Sequence, residues 1–358
     1  MIETRRIETA PGLVFDVSVA GPNDGPLALL LHGFCVSRHF WDNQLPALAQ
    51  AGYFAVAPNQ RGYSVDARPD PRDFDDYRVD RLIGDALDIV AAIGCGKQRF
   101  HLVGHDWGGS LSWLIADRYP ERLASLTMLS RPHPASFARA LKMPDGEQAR
   151  RSRHHQEFLD PMAGSRLLAD DAAWVRTRLA KNGVPEAAIA LHLSVIGNPS
   201  AMEAALAWYR ARGEREPIGP TKVPTLFIWG DADDTVGRAA AEGTGEFISA
   251  DYQFAALPGV GHYAADQAPQ QVTALLLDHL ARYSGITGGF PPLGDNVMHF
   301  PICLKIWHCC RTADPDGLVA DPAGLHVPAQ CALYAGIKRA PALARAGASQ
   351  AGHPPTTL

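Results

Sequence analysis

Glycines flank an aspartate in Gly104-His105-Asp106-Trp107-Gly108-Gly109, and no other stretch constrains the chain as strongly. A G-x-nucleophile-x-G turn joins strand to helix so sharply that neighbouring chains come too close for a Cβ, so both flanks need glycine. The apolar run Phe100-His101-Leu102-Val103 before it predicts a strand, and Ser110 to Ala116 after it predicts a helix. Aspartate stands where such a turn ordinarily holds serine. A carboxylate with an ordinary pKa of about 3.9 is ionised at neutral pH and needs no base to make it nucleophilic. Attack on an ester carbonyl would give a high-energy mixed anhydride, whereas displacement at a saturated carbon gives an ordinary ester that water can cleave. The residue type therefore points to alkyl transfer. The plain alternative is that Asp106 caps the following helix, as aspartate often does.

Strand-like runs recur at Leu13 to Val17, Leu27 to Leu31, Phe54 to Ala57, Phe100 to Val103, Leu123 to Leu129 and Thr225 to Trp229. Several are uniformly apolar, as parallel strands buried on both faces should be. Helical patterns at Val79 to Ile93, Ser110 to Tyr119 and Pro269 to Tyr283 alternate with them, which predicts an α/β fold with a mostly parallel sheet covered by helices on both faces. The strand signal vanishes between Arg131 and about Pro220, where alanine- and arginine-rich helical stretches take over. Residues 1–130 and 221–284 thus read as the core and 131–220 as an inserted helical cap, placed over the strand ends where open α/β sheets bind ligands. Residues 285–358 turn to glycine, proline, alanine and clustered cysteine, and read as a poorly ordered C-terminal extension with no assigned function.

A chain of 358 residues suits one α/β domain with an insertion and a tail. Its formal net charge of -5, with charges interspersed, argues against nucleic-acid or anionic-membrane surfaces and for a small-molecule substrate. The start lacks an apolar signal core and no later run approaches a membrane span, so a cytoplasmic monomer or homodimer is expected. Cys35 and Cys95 stand alone, and Cys303, Cys309, Cys310 and Cys331 lack zinc-ligand spacing. Neither a disulfide framework, nor a metal, nor another cofactor is indicated.

An ester on Asp106 needs a base to activate water. His262, in Val260-Gly261-His262-Tyr263 after the apolar run Phe254 to Leu257, has the near-neutral pKa and loop position for that task, although a surface or core histidine would read the same way. An acid to orient it should follow the strand that ends at Trp229, where Asp231, Asp233 and Asp234 are candidates and Asp231 and Asp234 could instead be turn formers. Leu31-His32-Gly33-Phe34 ends another strand, and the Phe34 N–H, with that of Trp107, is placed to bind an oxyanion unless this is an ordinary glycine turn.

Taken together, HGF at 32–34, NQRGYS at 59–64, GHDWGG at 104–109, WGDAD at 229–233 and GVGHY at 259–263 resemble the capped α/β-hydrolases of the epoxide hydrolase and haloalkane dehalogenase group, over about residues 10–283. The resemblance implies Asp106 as nucleophile, His262 as base and Asp233 as its orienting acid. Leu206-Ala207-Trp208-Tyr209-Arg210 is similar to the segment in which epoxide hydrolases carry a ring-opening tyrosine, which makes Tyr209 the implied proton donor. Packing is the common use of such a residue. A second cap tyrosine, frequent in that group, is missing: the matching stretch, Arg153 to Phe158, offers His154 and His155, of which His155 is taken as the partner of Tyr209. Trp107, Trp208 and His154 are the expected substrate-binding residues.

The implied reaction is hydrolysis of small or medium, largely apolar epoxides to vicinal diols, without a cofactor. A haloalkane dehalogenase would use the same three residues with the Trp107 indole gripping halide. Many resemble one another in an asparagine after the His-Gly pair, where this chain has Phe34. Fluoroacetate dehalogenases carry arginines after the nucleophile, which Trp107 and Ser110 do not supply. A non-catalytic ligand-binding protein on the same fold is the remaining alternative.

Overall fold

The computed structural model describes residues 1–213 and 217–284, so the extension expected at 285–358 lies outside the described residues. Its strands are β1 (Glu3–Ala10), β2 (Leu13–Ala20), β3 (Leu27–Leu31), β4 (Phe54–Pro58), β5 (Phe100–His105), β6 (Leu123–Leu129), β7 (Thr225–Gly230) and β8 (Tyr252–Leu257). Helices α1 (Gln44–Gln50), α2 (Val79–Val90) and α3 (Asp106–Arg118) connect the middle strands, and α10 (Arg238–Glu242), α11 (Ala264–Gln267) and α12 (Pro269–Tyr283) complete the core. Between β6 and β7 lie only helices among the described residues: α4 (Pro134–Leu141), α5 (Glu147–Arg151), α6 (His154–Glu157), α7 (Ala163–Lys181), α8 (Glu186–Ile196) and α9 (Pro199–Arg210).

The sheet order is β1-β2-β4-β3-β5-β6-β7-β8, antiparallel at the β1–β2 and β2–β4 pairs and parallel from β4 onward. Every residue of β3, β4, β5 and β7 is buried, which explains their largely apolar sequences. The expected strands are all present. Two further strands, β1 and β8, frame the sheet: β1 buries only Ile7 and, apart from Ala10, is otherwise charged or polar, as an edge strand can be.

The chain steps from β3 to β4 in one direction and from β4 across to β5 in the other. Right-handed crossovers then put α1 on one face and α2 and α3 on the opposite face, consistent with α12 packing on α1 and α3 packing on α2. The reversal makes β3 and β5 neighbours, with Leu31 in register with Gly104, so the loops leaving these two strands open side by side. A crevice at such a switch point is where open α/β sheets bind ligands.

The inserted helices are not regular throughout. Within α7 the backbone breaks at Ala169–Ala172, where Asp170, Asp171 and Ala172 take left-handed φ values of 51°, 57° and 57°. Aspartate tolerates that region and alanine does not, so the break is a strained joint between two helical pieces. Among the described residues no helix is long and apolar enough to cross a membrane.

Candidate active site

The residue after the end of β5 is already the first of α3, and that residue is Asp106, with a φ of 48°. The helix therefore starts four residues earlier than the sequence pattern suggests, because the glycines let strand and helix meet without a linker. A Cβ on Gly108 would stand 2.6 Å from the His32 carbonyl oxygen, and one on Gly104 would stand 2.8 Å from the Gly108 carbonyl oxygen. Gly33 faces the aspartate itself, for a Cβ there would lie 2.8 Å from Asp106 Oδ2. This closeness lets the Phe34 N–H reach Asp106 Oδ2 at 3.1 Å. The Trp107 N–H belongs to the first turn of α3, where an amide has no helical partner.

His262 lies on the loop between β8 and α11. Its Nδ1 meets both carboxylate oxygens of Asp233, at 3.1 and 3.0 Å, and its Nε2 stands 3.9 Å from Asp106 Oδ1. Asp233 is fixed in turn by the Thr235 and Val236 N–H groups, which donate to its Oδ1 at 2.7 and 2.9 Å. The other two aspartates of that loop are occupied elsewhere. Asp231 accepts the Gly259 N–H at 2.7 Å, and Asp234 pairs with Arg178 at 3.3 Å. The backbone of His262 is held on both sides: its N–H donates to Asn182 Oδ1 at 3.0 Å, and its carbonyl accepts from His105 Nε2 at 3.1 Å.

Burial works to raise the Asp106 pKa, but the charges of His262 and Arg131 and the Phe34 N–H outweigh it and hold the carboxylate below its ordinary range. Burial would lower His262, and the adjoining Asp233 carboxylate, with help from Asp106, reverses this and raises it. His105 is pushed down to about 3 by burial, which outweighs the pull of Asp106, and stays neutral. One carboxylate is thus permanently ionised beside an imidazole that favours its charged form.

A cavity of about 20 Å³ opens on Asp106 and His262. Phe34, Phe158, Trp174 and Tyr209 supply aromatic walls, and His154, Arg178, Thr235 and Tyr263 the polar ones. The volume suits a single water, so a substrate must displace lining side chains on entry. Tyr209 from α9 stacks edge-on against Phe34, Trp107 and Phe158, and burial raises its pKa well above the ordinary value, so the phenol keeps its proton.

Three expected substrate contacts are placed otherwise. His155 does not line the cavity; His154 does, since neighbours on the single turn α6 point about 100° apart and only one of them can face inward. His155 instead lies between Phe137 and Tyr209, with ring centroids 6.5 and 5.9 Å away. Within His154 the Nδ1–H donates to the Arg151 carbonyl at 3.1 Å, and burial pushes the ring down to about 4, which leaves a neutral ring presenting an Nε2 lone pair. Trp208 is also turned to structure. Its indole N–H donates to the Arg61 carbonyl at 3.0 Å and its ring packs edge-on to Tyr63 and Trp107. The Trp107 indole does not line the cavity either, being enclosed by Trp208, Tyr209 and the Arg212 guanidinium, 4.6 Å above it. Arg178, Thr235, Phe158 and Trp174 carry no motif signal, while Tyr263 is visible as the neighbour of His262.

A family model for the alpha/beta hydrolase fold matches residues 26–269, and the chain belongs to that family. Among curated relatives it is 29% identical to AB hydrolase superfamily protein YfhM of Bacillus subtilis, over 75% of this chain and 95% of that protein. It is also 29% identical to Epoxide hydrolase A of Mycobacterium tuberculosis, over 77% of this chain and 97% of the relative. A solved structure described as one of the novel epoxide hydrolases from metagenomes of hot environments superposes with a TM-score of 0.69 at 27% identity, covering 78% of this chain and 99% of that one.

Proposed function

We propose that this chain hydrolyses epoxides to vicinal diols through an ester on Asp106. Asp106 Oδ1, the oxygen not held by Phe34, attacks a ring carbon, and the C–O bond of the epoxide breaks. The departing alkoxide takes the Tyr209 proton; an alkoxide is far more basic than an ordinary phenolate. Water then adds to the ester carbonyl carbon as His262 takes its proton, and the resulting oxyanion rests on the Phe34 and Trp107 N–H groups. Collapse breaks the bond between that carbon and the diol oxygen, which takes the imidazolium proton, and the carboxylic acid left on Asp106 passes its proton to the Tyr209 phenolate, so that carboxylate, imidazole and phenol are all returned.

The observation that carries this reading is the line Asp233–His262–Asp106, in which the base touches its acid and stops 3.9 Å from the nucleophile. That gap is too long for a hydrogen bond, so Nε2 is not tied to the nucleophile and faces the cavity, which has room for one water. The curated relative and the solved structure whose printed names specify epoxide hydrolase support the same substrate. The Trp107 indole, which a dehalogenase would need at the leaving halide, is outside the cavity lining, which favours epoxide over haloalkane. Small, largely apolar epoxides, no cofactor and a cytoplasmic setting belong to this proposal.

Intact-protein and peptide mass spectrometry of His262→Gln after exposure to styrene oxide tests it. An adduct on Asp106 is expected. Turnover of bromoalkanes with halide release, and no diol from any epoxide, would reverse the assignment.

A further inference from the structure

We propose that Asn182, just beyond the end of α7, is a positioning residue for His262, so that the inserted helices set the geometry of the hydrolytic step. The inference rests on the reading of His262 as base. One amide joins three parts of the molecule: Asn182 Oδ1 accepts the His262 N–H at 3.0 Å, while Nδ2 donates to the Arg178 carbonyl at 3.0 Å and to Asp234 Oδ2 at 3.4 Å. One helical turn earlier, Arg178 donates to both carboxylate oxygens of Asp234 at 3.3 Å and to Thr235 Oγ1 at 2.8 Å. Thr235 is the residue whose N–H fixes Asp233. A single stretch of the insertion therefore grips the loop that carries the acid and the loop that carries the base.

The fit leaves little play. A Cβ on Gly261 would lie 2.6 Å from Asn182 Oδ1, and the Gly261 N–H is itself bonded to Gln267 Oε1 at 2.6 Å. With the His262 backbone pinned by Asn182 and His105, and Nδ1 pinned by Asp233, the position of Nε2 relative to Asp106 follows. Attack by Asp106 on an epoxide does not use Nε2, but activation of water does. Loss of Asn182 should therefore separate the two steps.

Rapid-quench single turnovers with styrene oxide read them individually, as ester formation on Asp106 and as its decay. In Asn182→Ala, ester formation should stay within about threefold of the parent while hydrolysis slows by about tenfold to a hundredfold, and the ester accumulates. Asn182→Asp keeps an acceptor for the His262 N–H but gives up both Nδ2 donations, to the Arg178 carbonyl and to Asp234, and should restore only part of the hydrolysis rate. Because the new carboxylate favours the imidazolium, it should also move the acid limb of hydrolysis to higher pH. The other ionisable groups around His262, namely Asp106, Asp233, Asp234, His105, His154 and Arg178, are the same in both proteins. Hydrolysis at the parental rate in Asn182→Ala, or equal slowing of both steps, would overturn the proposal. Should Asn182→Ala not fold, an unmoved limb in Asn182→Asp would overturn it equally. Absence of any ester in His262→Gln is a separate result, which removes the covalent reading and not the positioning alone.

Discussion

His262 lies against Asp233, with 3.0 Å between Nδ1 and Oδ2, and 3.9 Å from Asp106, measured from Nε2 to Oδ1. The unequal spacing divides the labour between the two carboxylates: one orients the imidazole and the other is left to attack. Asp233 acts to raise the His262 pKa, and only the neutral ring can take a proton from water, so hydrolysis of the ester should rise with pH through the titration of this imidazole. Asp233→Asn should move the midpoint down and lower the plateau. Single-turnover decay of the ester across pH reads both changes, and a midpoint that stays in place in the variant would remove Asp233 from this role.

Ester formation should behave differently. Asp106 is held below its ordinary range and Tyr209 above its own, so neither changes state near neutrality, and the alkylation step should be flat from about pH 5 to about pH 9. The same shift bears on stability. A carboxylate with a lowered native pKa stabilises the fold at pH values above its unfolded pKa, and this contribution is lost as pH falls through the native value. Thermal melts between about pH 5 and pH 2 should accordingly show a smaller loss in Asp106→Asn than in the parent.

Tyr209→Phe removes the one phenol on the cavity wall contributed by α9. Epoxide opening should slow by about a hundredfold or more, the usual range for a general acid, while any displacement of bromide from a bromoalkane should change little, because bromide needs no proton. Parallel assays of diol and bromide decide this. Equal losses on both substrates would make the tyrosine a packing residue.

Trp208 offers a contrasting case. Its indole N–H serves the Arg61 carbonyl, so Trp208→Phe should cost about 1 kcal/mol of stability and leave ester formation near the parental rate. A denaturant midpoint and a burst measurement separate the two. A burst slowed far more than the melt would predict would return Trp208 to the substrate site.

The difference between Tyr209 and Trp208 also marks where the sequence stops being informative. Strands β3, β4, β5 and β7 are legible because burial on both faces demands largely apolar runs; Phe34, Asp106 and Asp233 are legible because each follows such a strand at a glycine-marked turn, and His262 because it follows the short apolar end of β8 at one. Strand β1 is not, since an edge needs little more than Ile7 in the core. The inserted helices are harder still. Which of His154 and His155 faces the cavity depends on the angle at which α6 docks, and the contacts of Arg178 and Asn182 with the Asp234 and His262 loops span at least 52 residues. Neither is written in local periodicity.

The most direct test of an ester on Asp106 is one turnover of excess enzyme on an epoxide in ¹⁸O-labelled water, followed by mass analysis of the peptide that contains this residue and of the diol. Water attacks the carbonyl carbon of the side chain, so ¹⁸O should appear in the Asp106 carboxylate while the first diol released remains unlabelled. Label in the diol alone, with none in Asp106, would mean that water opens the ring directly and that the aspartate never bonds to carbon.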